Sequence, residues 1–275
     1  MKRMVIFILL GMGIFFTEST CSQDVLMRSL ARLLTVYPQI SAITGDCVVW
    51  ADGTSMELSH YNEWRTYFEK LNEPTLVDQL EQEEYIIGES GCTPTGDPGR
   101  IRYEPFFRKM YGDSPEEVEK NLERVVWMPR TFGQETYILY VTRINGVHEK
   151  IKLISDELDE LVCLNPEYIR FLKRPGGTYC WRFIANTNRL SNHSFGMTLD
   201  INADQSQYWQ WDLKAQGQII QEDVELVYRN NVPWKIVEIF EKYGFIWGGK
   251  WYHYDTMHFE YRPELMMTNI SEEAK

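Results

Sequence analysis

Apolar positions from Val25 to Val36 recur at helical spacing and stop before Pro38, which predicts a first helix. Ser114-Pro115-Glu116-Glu117 opens another, with serine as N-cap, proline at the first position and Glu117 completing a capping box. The stretch Cys92 to Gly99 concentrates glycine, proline and threonine and reads as a loop. Its continuation, Asp97-Pro98-Gly99-Arg100-Ile101-Arg102, stands either at the rim of a site or in a purely structural loop. Glu81, Glu83 and Glu84 read as a solvated face.

The second half has sharper patterning. Tyr137 to Ile144 alternates β-formers and predicts a strand closed by Asn145-Gly146. From Val147 to Leu161 the apolar positions Ile151, Ile154, Leu158 and Leu161 mark an amphipathic helix. Met197 to Ile201 alternates again, and His193 precedes it in a loop. Pro233 to Tyr243 is a helix with proline in its first turn and Gly244 after its end. Phe245-Ile246-Trp247 and His258-Phe259-Glu260-Tyr261 predict neighbouring strands joined by a Gly248-Gly249 turn. Strands flanked by helices without a βαβ rhythm indicate an α+β fold, an antiparallel sheet flanked by helices. The expected division is a leader over 1–22, a mostly helical N-terminal region over 23–135, a catalytic domain over 136–267 and a polar tail over 268–275.

The leader follows from the first residues. Lys2 and Arg3 precede an apolar run from Met4 to Phe16, too short to span a bilayer, which takes about 20 apolar residues. This is the layout of a secretory signal peptide with cleavage near Ser19 to Ser22, so the expected location is periplasmic or extracellular, with no transmembrane span in the mature chain. Cys21 raises the alternative of a lipid anchor, although Glu18-Ser19-Thr20 is a poor lipobox. Removal of Lys2, Arg3 and Glu18 changes 28 basic and 40 acidic residues to 26 and 39, a net charge of −13. Such acidity argues against nucleic acid or an anionic membrane as the main partner, so recognition is expected to be local, in a cleft. Cys47, Cys92, Cys163 and Cys180 remain, and an exported protein permits disulfides. Cys163 with Cys180, and Cys47 with Cys92, is the favoured pairing, against four free thiols.

Candidate chemistry concentrates in Ser191-Asn192-His193-Ser194-Phe195-Gly196-Met197-Thr198-Leu199-Asp200 and Asp255-Thr256-Met257-His258. His193, Asp200 and His258 are candidate metal ligands, and two imidazoles with one carboxylate leave a fourth tetrahedral position for water, the arrangement of a catalytic zinc site. Asp255 is a spare carboxylate that could take and return a proton. His253 is expected to line the cleft, while His60 and His148 read as surface histidines. Tyr208-Trp209-Gln210-Trp211, in an insert from Tyr208 to Leu226, is either packing or an aromatic platform for a sugar or peptide.

Ser-x-His-x-x-Gly-x-x-x-Asp followed by Asp-x-x-His resembles the D-alanyl-D-alanine carboxypeptidase and dipeptidase family of zinc peptidases, which includes vancomycin-resistance enzymes and phage L-alanyl-D-glutamate endolysins. The flanks Tyr179 to Leu190, Gly244 to Trp251 and His258 to Leu265 share the resemblance, which covers residues 136 to 267. It implies one Zn²⁺ per chain on His193, Asp200 and His258, with Asp255 as general base and Arg182 as the cation at the scissile carbonyl. Arg189 and Arg102 are alternatives for that cation, and Ser191 would orient substrate or a ligand through its hydroxyl. The resemblance also implies a fold shared with the hedgehog signalling domain, and as substrate the peptide stem of bacterial peptidoglycan. D-alanyl-D-alanine carboxypeptidase activity is the first reading and L-alanyl-D-glutamate endopeptidase activity the second. A catalytically silent, zinc-stabilised binding module is a third, although such a module need not retain Asp255.

Overall fold

The computed structural model describes residues 20–60, 64–88, 96–220 and 224–267. The expected leader lies outside these except for Thr20 to Ser22, and the polar tail lies outside them entirely. Helix α1 (Thr20–Val36) carries the predicted helical stripe and buries Leu30 and Leu33. Among the described residues no helix is long and apolar enough to cross a membrane.

Strands β1 (Ile40–Thr44), β2 (Cys47–Trp50) and β3 (Ser55–Glu57) form an antiparallel meander, an addition to the helices expected of the N-terminal region. The cause is local: Ile40, Ile43, Val48 and Val49 are β-branched, and Gly45 supplies a φ of 55° to the two-residue turn that pairs Thr44 with Cys47. Helices α2 (Tyr67–Asn72) and α3 (Leu76–Leu80) open on complete capping boxes, Thr66 with Glu69 and Thr75 with Asp78. Strand β4 (Tyr85–Ile86) and helices α4 (Glu104–Tyr111) and α5 (Pro115–Glu119) follow. At α5 the Ser114 hydroxyl accepts from Glu117 N as predicted, but the Glu117 carboxylate accepts from Asp113 N instead, so the box is half formed. Glu84 is not simply solvated, because it pairs with Arg28 and Arg32 of α1.

Strand β5 (Leu122–Val126), helix α6 (Pro129–Phe132) and strand β6 (Ile138–Thr142) make an antiparallel pair that spans the 135/136 position. Asn145 and Gly146 turn the chain at φ of 58° and 67°, as an Asn-Gly pair can. Helix α7 (Val147–Leu164) buries Ile151, Ile154 and Leu158, and α8 (Ile169–Leu172) follows. Then come β7 (Thr198–Asp200), α9 (Trp209–Ala215), α10 (Trp234–Lys242), β8 (Phe245–Trp247), β9 (His258–Tyr261) and β10 (Met266–Met267). The sheet that matters for function is antiparallel with the order β7-β9-β8, and β10 pairs in parallel with β4. One core joins Leu33 and Tyr37 of the first segment to Ile151, Leu199, Phe240 and Phe259. Phe240 of α10 stacks on Phe259 at a centroid distance of 3.8 Å, covering the back of the sheet. Helices mixed with small, mainly antiparallel sheets fit the α+β class.

The cysteine pairing is corrected. Cys163 and Cys180 are free and exposed, and Cys47 is free, while Cys92 lies outside the described residues. Cys163 follows Val162 by one residue, so it sits about 100° round α7 from that helix's buried stripe.

Candidate metal centre

Strand register brings two of the candidate ligands together. Asp200 stands opposite His258 in the β7–β9 pair, and cross-strand neighbours have Cβ atoms about 5 Å apart. The third comes from a turn. Asn192–Phe195 is a short 3₁₀ segment whose N-cap, Ser191, accepts from His193 N at 3.4 Å. It ends at Gly196, whose φ of 64° and packing against Leu122 and Thr142 leave no room for a side chain. The glycine of the motif thus lets the turn that carries His193 reverse into β7. Gly176 closes the other side of Asp200, donating its N–H to the Asp200 carbonyl at 2.7 Å.

In this arrangement Asp200 Oδ2 lies 3.2 Å from His193 Nε2, and Asp200 Oδ1 lies 3.1 Å from His258 Nδ1. One donor atom from each of the three residues falls within 4.8 Å of the others. A tetrahedral ion with bonds of about 2.0–2.2 Å separates its ligand atoms by about 3.4 Å, so the spacing fits such an ion. The electrostatics fit as well. Burial alone would raise the Asp200 carboxyl, but His193 and His258 hold it far below the usual carboxylate range. His258, which burial would make less basic, is lifted to about 9 by Asp200, Glu260 and Asp255. The cluster attracts positive charge, which a proton supplies in one state and a metal ion could supply in another.

Behind His258 stands Glu260, fully buried, with Oε2 at 3.2 Å from His258 Nε2. Arg102 Nη2 donates to it at 2.6 Å, Arg262 Nη1 at 2.9 Å and Asn192 Nδ2 at 2.6 Å. Arg102, His258 and Arg262 overcome burial and hold the Glu260 carboxyl well below the usual carboxylate range. A carboxylate on Nε2 fixes the ring so that Nδ1 presents its lone pair toward the cluster. Within the predicted strand the sequence marks no site role for Glu260, yet the period of two along β9 puts it on the same face as His258.

Asp255 lies on the loop between β8 and β9. Gly248 permits that loop to fold back: a Cβ there would meet the Asp255 carbonyl, and Asp255 N donates to Gly248 O at 3.0 Å. Its Oδ1 is buried and has no hydrogen-bond partner among the described residues. Burial first, and then the charge of Asp200, raise its carboxyl to about 7. A carboxylic acid poised near neutrality beside a candidate metal cluster can both take and give a proton.

The other predicted residues are placed as follows. Arg182 has an exposed side chain, while its backbone N–H donates to Ser194 Oγ at 3.0 Å and its carbonyl accepts from Ser191 N at 2.9 Å. No side-chain contact joins it to the cluster among the described residues. Arg102 instead reaches Glu260 directly. Ser191 is buried and serves the His193 turn. His60 is exposed as a surface histidine would be, whereas His148 is half-buried with its Nδ1 out of solvent. Trp209 is a packing residue rather than a platform: it is buried against His253 at 4.8 Å, whereas Trp211 is exposed. A cleft of about 140 Å³ is lined by Arg100, Arg102, Arg189 and Asn192 among others; His193, Asp200, Asp255 and His258 are not in its lining, and Arg102 and Asn192 connect it to them through their hydrogen bonds to Glu260.

The cluster could hold a metal ion with a spare buried carboxylate beside it. Residues 185–261, which contain His193, Asp200, Asp255 and His258, match the family model described as D-alanyl-D-alanine carboxypeptidase, so the resemblance in the motif extends over the segment that carries these four residues. The match indicates a peptidase. No curated protein and no solved structure matches the chain.

Proposed function

We propose that this protein is a zinc-dependent peptidase that hydrolyses the peptide stem of bacterial peptidoglycan, with D-alanyl-D-alanine carboxypeptidase activity as the first reading. The carrying observation is the unpartnered, buried Asp255 oxygen beside a two-histidine, one-aspartate cluster. His193, Asp200 and His258 would hold one Zn²⁺, which when bound supplies a Lewis acid and acidifies a water at neutral pH. Asp255 takes the proton from the attacking water and delivers it to the departing amine. Arg182 meets the developing oxyanion, which its exposed side chain leaves it free to do on substrate entry. Ser191 sets the His193 turn on which substrate rests.

Several features support the finer statements. The arginine-lined cleft suits a terminal carboxylate, which a carboxypeptidase must receive and an endopeptidase need not. Lys2, Arg3 and the short apolar run to Phe16 support export to the periplasm or cell exterior, with a lipid anchor on Cys21 as the variant form. The β7-β9-β8 sheet backed by α10 is in keeping with a hedgehog-type fold for the catalytic domain over 136–267. Retention of Asp255 weighs against a silent binding module.

The test is mass spectrometry of products after incubating zinc-loaded protein with defined pentapeptide muropeptides. Loss of one alanine is expected. A cut between L-alanine and D-glutamate would replace the carboxypeptidase with the endopeptidase, and absence of product with metal bound would overturn the peptidase reading.

A further inference from the structure

The loop that carries Asp255 is gripped from two sides. On one side the insert pairs with it: Tyr208 bridges Asp255, Thr256 N donates to Gln207 O at 2.9 Å, and Trp209 N donates to Tyr254 O at 3.0 Å. On the other side stands residues 96–98, from the N-terminal region. Tyr252 N donates to Gly96 O at 2.8 Å, and Trp251 Nε1 donates to Pro98 O at 2.7 Å. Asp97 makes the central contacts. Its Oδ1 accepts from His253 N at 2.8 Å, and its Oδ2 lies 2.7 Å from His253 Nδ1. An ionised carboxylate only accepts, so Nδ1 carries the proton.

Asp97 is built to stay ionised. Its side chain is 2% exposed, and it also receives Tyr67 OH at 2.6 Å and Arg100 Nη1 at 3.1 Å. The segment is anchored on both sides as well. Gly99, at a φ of 96°, packs so closely on Ile246 that no side chain would fit. Its carbonyl accepts from buried Arg262 at 3.0 Å, and its N–H donates to Gln82 at 2.7 Å. Asp97 is therefore a fixed point, and His253 is two residues from Asp255.

We propose that Asp97 is a positioning residue for Asp255: by clamping His253 it sets where the Asp255 carboxylate stands relative to Asp200 and His258, so the N-terminal region completes the active site. The inference rests on the reading of Asp255 as the proton carrier. A displacement of about 1 Å in a reacting group can cost about 100-fold in rate, so a positioning residue is visible in turnover.

The experiment uses the full zinc-loaded chain and three variants: Asp97→Asn, His253→Gln and His253→Asn. An asparagine amide can reproduce the Nδ1–H donor to Asp97, whereas glutamine projects its amide where Nε2 would be. With pentapeptide muropeptide as substrate, Asp97→Asn and His253→Gln are expected to lower kcat by about 10- to 100-fold with KM and bound zinc changed less than about threefold. His253→Asn is expected to restore most of the turnover. Amide hydrogen exchange of residues 251–256 reads the clamp without any substrate: it should rise in Asp97→Asn and His253→Gln and stay near wild type in His253→Asn. Equal turnover in the two His253 variants would overturn the proposal, as would unchanged exchange in Asp97→Asn. If wild-type protein shows no turnover, the peptidase reading fails, and the exchange data alone decide whether Asp97 holds the loop.

Discussion

Glu260 Oε2 lies 3.2 Å from Nε2 of His258, two residues before it on the same strand, and leaves Nδ1 of that ring facing Asp200 at 3.1 Å. One strand therefore supplies a candidate ligand and the group that orients it. Phe259 between them points the other way, into the stack with Phe240.

Glu260→Gln is expected to weaken zinc binding by about 10- to 100-fold, the usual effect of losing a carboxylate behind a ligating histidine. Competition with a chromogenic chelator measures it. The substitution should also lower Tm, because Arg262 and Arg102 lose a charged partner in a buried setting.

Asp255→Asn is expected to retain stoichiometric zinc and lose about 10²- to 10⁴-fold in kcat, the range for a general acid–base group. Metal analysis on the protein used for kinetics checks both halves. Turnover within a factor of three of wild type would remove Asp255 from the chemistry.

Metal-free protein should become less stable as pH rises. His258 is lifted from 6.5 to about 9 in the fold, so the stability it confers is complete below about pH 6.5 and is lost as pH climbs through 9. Asp255, lifted from 3.8 to about 7, adds to the same trend over roughly pH 4 to 7. A metal ion must displace the His258 proton, so apparent zinc affinity should rise by up to tenfold per pH unit until about pH 9. Thermal melts with chelator and with zinc, taken at half-unit pH steps, should therefore diverge as pH increases.

Arg182 and Arg102 separate cleanly. Arg182→Ala is expected to lower kcat by about 10²- to 10³-fold, as for loss of an oxyanion donor, with Tm unchanged because its side chain is exposed. Arg102→Ala strips a buried carboxylate of one partner and should lower Tm and zinc affinity together. Melting curves and steady-state kinetics on both variants distinguish the roles.

The grouping of His193 with Asp200 was legible because it is local: they sit seven residues apart on a turn and strand whose alternation shows in the sequence, and His258 joins these two candidate ligands through strand register. The helices α1, α7 and α10 were legible for the same reason, their apolar stripes being long enough to show a period. Glu260 was within reach of the same logic, through the two-residue period from His258. What sequence could not show is long-range. The contacts of Arg102 with Glu260, and of Asp97 with His253, join residues 158 and 156 positions apart. Short strands such as β1 to β3 were missed because three to five residues give too little alternation to outweigh a helical prior. The expected Cys163–Cys180 bridge failed because sequence proximity to the same insert does not bring two side chains face to face.

The contact between the Tyr37 hydroxyl and Glu264, at 2.6 Å, and that between Arg32 and the Glu264 carbonyl span 227 and 232 residues. Glu264 in turn neutralises buried Arg262, which also holds Glu260 and Gly99. A chain emerging from its N-terminus thus carries α1 with an unfilled contact until nearly its last described residues exist. Loop closure over such a distance is an entropic barrier that local helices cannot bypass. The contacts that hold Glu260 behind His258 are thereby tied to the first helix of the chain, and both ends of the sequence must be in place before that network is complete.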